Sequence, residues 1–99
     1  MTYDNFQQIC QQKSIPEGLN RVLLALWFDF RGDWDTAHRI VQEIDGIDAS
    51  WVHAYLHRKE GDLPNASYWY SRGGKTRPDG GLDEEWELIS RSLLESISG

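Results

Sequence analysis

Two stretches decide the fold of this chain: ALWFDFRGDWDTA at residues 25–37 and AYLHRKEGDLPNA at residues 54–66. Both place Ala, a Gly-Asp pair, an apolar residue and a second Ala at the same positions, with an offset of 29 residues. Small Ala side chains let two helices approach closely, Gly turns the chain, and Asp caps the returning helix. Self-similarity of this kind is typical of stacked helical hairpins. The sequence therefore predicts an all-α fold with about two helical hairpins.

Helical periodicity covers most of the remaining chain, and the strict alternation of a β-strand is absent. A capping box in Ser14-Ile15-Pro16-Glu17 indicates the start of the second helix. The Gly-rich segment 73–81 indicates a flexible loop between the last two helices. We predict six helices in one domain of residues 1–99, in chain order Tyr3–Lys13, Ser14–Phe30, Trp34–Ile44, Trp51–Glu60, Pro64–Arg72 and a last helix from Asp83.

The repeated turn carries a family resemblance. The Gly-Asp pair followed by Ala resembles a tetratricopeptide repeat (TPR), and Ala66-Ser67-Tyr68-Trp69-Tyr70 resembles the Ala-x-x-Trp-Tyr of Sel1-like repeats. The segment 51–62 is also similar to small uncharacterised bacterial proteins. The resemblance implies a TPR/Sel1-like stack with N- and C-terminal capping helices, and a role in protein-protein interaction or scaffolding. The offset of 29 residues is shorter than the 34 of tetratricopeptide repeats.

Composition restricts the partners. The formal net charge of −6 disfavours a nucleic-acid backbone or an anionic membrane as the partner. The N-terminal residues lack the pattern of a targeting peptide, and the apolar run 22–28 is too short to span a bilayer. The single cysteine, Cys10, lies on an apolar stripe, which favours a buried, inert thiol and a cytoplasmic protein.

Histidines form the main candidate site. His53, His57 and Glu60 are spaced i, i+4 and i+7, which places them on one face of the fourth helix. We expect this face, together with Arg58, to be the less buried one and to contact a protein or peptide partner. The same spacing is compatible with a divalent metal, and packing of the third helix on the fourth would bring His38 close to His57.

No catalytic residue is predicted, and an enzyme is the less favoured class. Segment 73–76, Gly-Gly-Lys-Thr, lacks the preceding Gly and strand of a phosphate-binding loop, and no other cofactor motif is visible. The favoured function is a protein-protein interaction or scaffolding module. The alternatives are a metal-binding protein or metalloenzyme that uses the His53/His57/Glu60 face, and a structural subunit that forms homo-oligomers through exposed aromatic residues.

Overall fold

The computed structural model describes residues 1–98, and these residues form six α-helices and no strand. The prediction of an all-α fold is confirmed. No helix in the described part of the chain is long and apolar enough to cross a membrane. The helices are α1 (Tyr3–Gln11), α2 (Arg21–Phe30), α3 (Trp34–Gln42), α4 (Ile47–Lys59), α5 (Leu63–Arg72) and α6 (Leu82–Ser98).

The chain forms two hairpins, α2–α3 and α4–α5. In each hairpin a turn of the same geometry connects the two helices. Gly32 and Gly61 have φ angles of 84° and 86°, in the left-handed region that favours glycine. In each turn the amide of the following Asp donates to the carbonyl five residues earlier, at 2.9 Å. The carboxylates of Asp33 and Asp62 then accept from the backbone amide three residues later, at 3.1 and 3.3 Å. The repeated Gly-Asp pair therefore ends one helix and begins the next in both hairpins.

The two repeated alanines lie where the helices pack. Ala37 on α3 and Ala66 on α5 are 0% and 1% exposed. The α4–α5 contact is the most extensive helix pair in the described chain. A larger side chain at either alanine would have to push the paired helices apart, because the surrounding core is close-packed.

The variant Ala66→Leu is expected to lose about 1 to 3 kcal/mol of unfolding free energy, because its added carbons overpack the α4–α5 contact. The midpoint of urea unfolding measures the loss. Ser67→Leu is the matched control, because it adds a leucine at the neighbouring, exposed position of the same helix. Equal midpoints for the two variants would show that Ala66 does not lie at a close helix contact.

The terminal helices cover the hairpins: α1 packs on α2 and α6, and α6 packs on α4 and α2. Phe6 on α1 stacks on Trp86 of α6 with ring centres 5.6 Å apart, and the Trp86 indole donates to the carbonyl of Leu26 at 3.2 Å. Cys10 is fully buried, as predicted, and burial raises the pKa of its thiol to about 12. Ile97 follows the helical spacing of Ile89 and Leu93 but is 53% exposed, so the buried face of α6 ends before this residue.

Two helix starts differ from the prediction by more than one residue. The capping box at residues 14–17 is wrong, because α2 begins at Arg21 and the side chain of Asn20 accepts from the amides of residues 22 and 23. Pro16 and Gly18, with φ of 74° at Gly18, interrupt the earlier segment. The helix α4 begins at Ile47 rather than Trp51 and has no side-chain cap.

Candidate functional site: a three-histidine cluster

All three histidines of the chain meet at one place. His38 is on α3, and His53 and His57 lie one turn apart on α4. One nitrogen from each ring can be chosen so that all three lie within 4.8 Å of one another. The ring centres are separated by 4.7 Å (His38–His53), 4.9 Å (His53–His57) and 5.1 Å (His38–His57). The structure therefore brings together the three residues that the sequence suggested as metal ligands.

Two tryptophans fix the histidine rings. The indole of Trp34, at the first position of α3, donates to the carbonyl of Leu56 at 2.8 Å and holds the start of α3 against α4. Its ring stacks on His38 with centres 4.8 Å apart, and Trp69 of α5 stacks on His53 at 3.9 Å. The sequence analysis missed the role of both indoles because their positions also suit hairpin packing.

Hydrogen bonds link the cluster internally and to one carboxylate. The Nε2 atoms of His38 and His53 are 3.0 Å apart, so one ring donates and the other accepts. The accepting ring must be neutral. The Nδ1 atom of His57 lies 2.6 Å from Oε1 of Glu60, which fixes the orientation of the His57 ring.

The histidine face is not exposed, which corrects the expectation for His53 and His57. Their exposed fractions are 5% and 6%, and every residue from Ala49 to His57 is buried. The reason is that α4 is covered by both α3 and α5, so that it has no open side along this stretch. Arg58 bonds to Glu85 of α6 rather than to the histidines, and only Glu60 remains at the exposed rim.

Burial and mutual repulsion keep two of the rings neutral. Burial, followed by the nearby His38 and His57, lowers the pKa of His53 to about 4. Burial and then His57 also lower the pKa of His38. A neutral imidazole offers the lone pair that a metal ion requires. The rings of His38 and His53 are therefore neutral at neutral pH.

Comparisons with protein-family models, with curated proteins and with solved structures find no match to this chain. The TPR/Sel1-like resemblance therefore stays a prediction, although the two hairpin turns share one geometry. The case for a function depends on the residues of the site itself.

Proposed function

We propose that this protein binds a divalent transition-metal ion, with zinc as the best fit, through His38, His53 and His57. The observation that carries the proposal is the convergence of three nitrogens within 4.8 Å from two different helices. Imidazole nitrogen suits zinc, copper and nickel, whereas magnesium and calcium prefer oxygen. The protein should therefore discriminate strongly between these two groups of ions.

The distances within the cluster support a tetrahedral ion. Zinc–nitrogen bonds of about 2.0 to 2.1 Å at tetrahedral angles place two ligand nitrogens about 3.3 Å apart. The 3.0 Å between the Nε2 atoms of His38 and His53 is within a few tenths of an ångström of that value. A metal ion would replace the proton that the two rings share, and a nitrogen of His57 lies within 4.8 Å of the other two ligand nitrogens.

The contact between His57 and Glu60 supports the same proposal. A metal-binding histidine commonly donates its second ring N–H to a carboxylate, which fixes the tautomer and makes the other nitrogen a better ligand. Glu60 lies 2.6 Å from Nδ1 of His57, so the remaining Nε2 is the nitrogen suited to the metal. With three protein nitrogens, a tetrahedral zinc ion keeps a fourth position for water or another small ligand.

The interaction-module hypothesis receives less support from the geometry. The predicted peptide-binding face consisted of His53, His57, Arg58 and Glu60, but the two histidines are buried and Arg58 is engaged by Glu85. A scaffolding role, its protein partner and homo-oligomer formation remain predictions from the resemblance and from exposed aromatic residues. We therefore prefer metal binding.

Zinc is expected to stabilise the protein after metal has been removed with a chelator and the chelator dialysed away. An ion that binds only the folded state at ten times its Kd adds about 1.4 kcal/mol to the unfolding free energy. The melting temperature should therefore rise with zinc concentration, and magnesium should leave it unchanged. Isothermal titration calorimetry should give a stoichiometry of one zinc ion per chain.

Three variants test the assignment of ligands. His38→Gln keeps a polar group beside His53 but removes one ligand, and it should abolish the zinc-dependent rise. Glu60→Gln should weaken zinc binding about 10- to 100-fold, because it removes the charge that orients His57. Glu95→Gln, at an exposed position of α6, removes the same charge away from the site and should bind zinc like the parent. Equal zinc responses in the parent and His38→Gln would refute the proposal.

A further inference from the structure

A cavity of about 400 Å³ lies where α1 meets the C-terminal ends of α2 and α4 and the first turns of α6. None of its lining residues belongs to the histidine cluster. Aromatic rings and carboxylates form most of its wall, together with Lys59 and Gln7. These aromatic and carboxylate groups differ from the imidazole groups of the proposed metal site.

Four aromatic side chains line the cavity: Tyr3, Phe30, Tyr55 and Trp86. The ring of Trp86 lies 5.5 Å from that of Phe30 and 6.3 Å from that of Tyr3, measured between centres. Phe30 is 47% exposed although it is a large apolar residue at the end of α2. Aromatic faces attract cations through their negative quadrupole, and more strongly where water is partly excluded.

The charge of the cavity is negative. Asp29, Asp83 and Glu87 contribute three carboxylates and Lys59 one ammonium, which gives a formal net charge of −2. The buried Asp29 is fully engaged, because the Tyr55 hydroxyl donates to Oδ2 at 2.8 Å and Lys59 to Oδ1 at 2.9 Å. The excess negative charge therefore belongs to Asp83 and Glu87, which lie closer to solvent.

The chain already places a cation at the edge of this cavity. The guanidinium of Arg91 lies 4.2 Å from the ring centre of Tyr3 and donates to Glu87 at 2.7 Å. Both side chains of the Arg91–Glu87 pair are about half exposed, at 57% and 46%. Exposed ion pairs contribute little free energy, so another cation can displace Arg91 at low cost.

We infer that this cavity binds an organic ammonium ion, with the ammonium against the aromatic faces and its N–H groups donating to Glu87 and Asp83. The ammonium could belong to a free alkylamine or to a lysine side chain of another protein, since both present the same group. The inference uses no residue of the histidine cluster, so it does not depend on the proposed metal binding.

The test is a ¹H–¹⁵N NMR titration of the full chain with n-butylammonium, with 1-butanol as the neutral analogue. The indole resonance of Trp86, assigned by a Trp86→Phe spectrum, should shift saturably with n-butylammonium and not with 1-butanol. A second titration with N-acetyl-lysine amide, which carries the lysine ammonium, distinguishes the two sources. Saturable binding of both compounds assigns the site to lysine side chains as well, and binding of n-butylammonium alone assigns it to free amines.

Two variants are expected to change the affinity for n-butylammonium in opposite directions. Phe30→Leu should weaken n-butylammonium binding about two- to fivefold, because it removes one aromatic face at an exposed position. Arg91→Gln should tighten binding because it removes the competing cation. Arg39→Gln makes the same charge change on the exposed surface of α3 and should have no effect. Equal affinities for n-butylammonium and 1-butanol, no saturable shift, or equal effects of Arg91→Gln and Arg39→Gln would overturn the inference.

Discussion

Glu85→Ala should lower the unfolding free energy by about 3 to 5 kcal/mol, the usual cost of removing one partner of a buried ion pair. The side chain of Glu85 is fully buried in the first turns of α6. Its carboxylate accepts from Arg58 at 2.8 Å and from Trp51 at 3.3 Å, both on α4, and from the Tyr70 hydroxyl of α5 at 2.7 Å. Without the carboxylate, a partly buried guanidinium and a buried phenol lose their acceptor.

Urea unfolding monitored by circular dichroism measures this loss. Glu95→Ala is the matched control, because it makes the same substitution at an exposed position of α6 and should change stability by less than about 0.5 kcal/mol. Since Glu85→Ala removes a large part of a typical stability of about 5 to 15 kcal/mol, Glu85→Gln provides a milder variant that keeps the volume and one of the two acceptor oxygens. A loss no larger than that of Glu95→Ala would show that the network does not form.

A double-mutant cycle measures the interaction energy between Arg58 and Glu85 separately from their interactions with other residues. Arg58→Met and Glu85→Met each leave one polar partner without its counterpart, whereas the double variant removes both charges. The double variant should therefore be more stable than the sum of the two single losses predicts. Additive losses would indicate that Arg58 and Glu85 act independently.

The repeated turn could be predicted from the sequence because its causes are local. A glycine with positive φ and an aspartate that caps three residues later act within a few residues, and both occur twice. The start of α2 at Arg21 was harder to predict, because Ser14 and Asn20 are both good N-cap residues. The choice between them depends on the intervening Pro16 and Gly18.

Parts of the candidate site could be predicted, and others could not. The spacing of His53 and His57 and the hairpin order placed His38 close to them. Their burial was missed, because periodicity identifies one apolar face and cannot show that a central helix such as α4 is covered on two sides. Glu85 resembles an ordinary acidic residue in a first helical turn, and its partners lie 15 to 34 residues away in the sequence.

Metal-free protein should lose stability as the pH falls from about 6.5 to about 4, because of His53. The folded state lowers the pKa of this ring from 6.5 to about 4, chiefly by burial and then through His38 and His57. Between these two pH values the unfolded chain binds a proton at His53 that the folded chain does not, so the unfolding free energy rises with pH there. The contribution is complete above about pH 6.5 and is lost progressively on acidification.

A pKa shift of this size corresponds to about 3 kcal/mol, and screening on the partly exposed His38 side reduces the expected effect to about 2 kcal/mol. Urea unfolding in the presence of a chelator, at several pH values between 7 and 4, measures the change. The ionisable groups near His53 are His38 on α3 and His57 on α4, with Glu60 beyond His57, whereas the contact from α5 is the uncharged Trp69.

Comparison of the parent with His53→Gln separates the contribution of His53 to the pH dependence from that of the carboxylates. The carboxylates titrate in the parent and in the variant alike. The variant lacks the ionisable ring, so its unfolding free energy should fall less steeply than that of the parent between pH 6.5 and 4.5. Parallel curves would contradict a buried, neutral His53. Because the measurement is made without metal, a steeper parent curve would establish the burial of His53 even if zinc failed to bind.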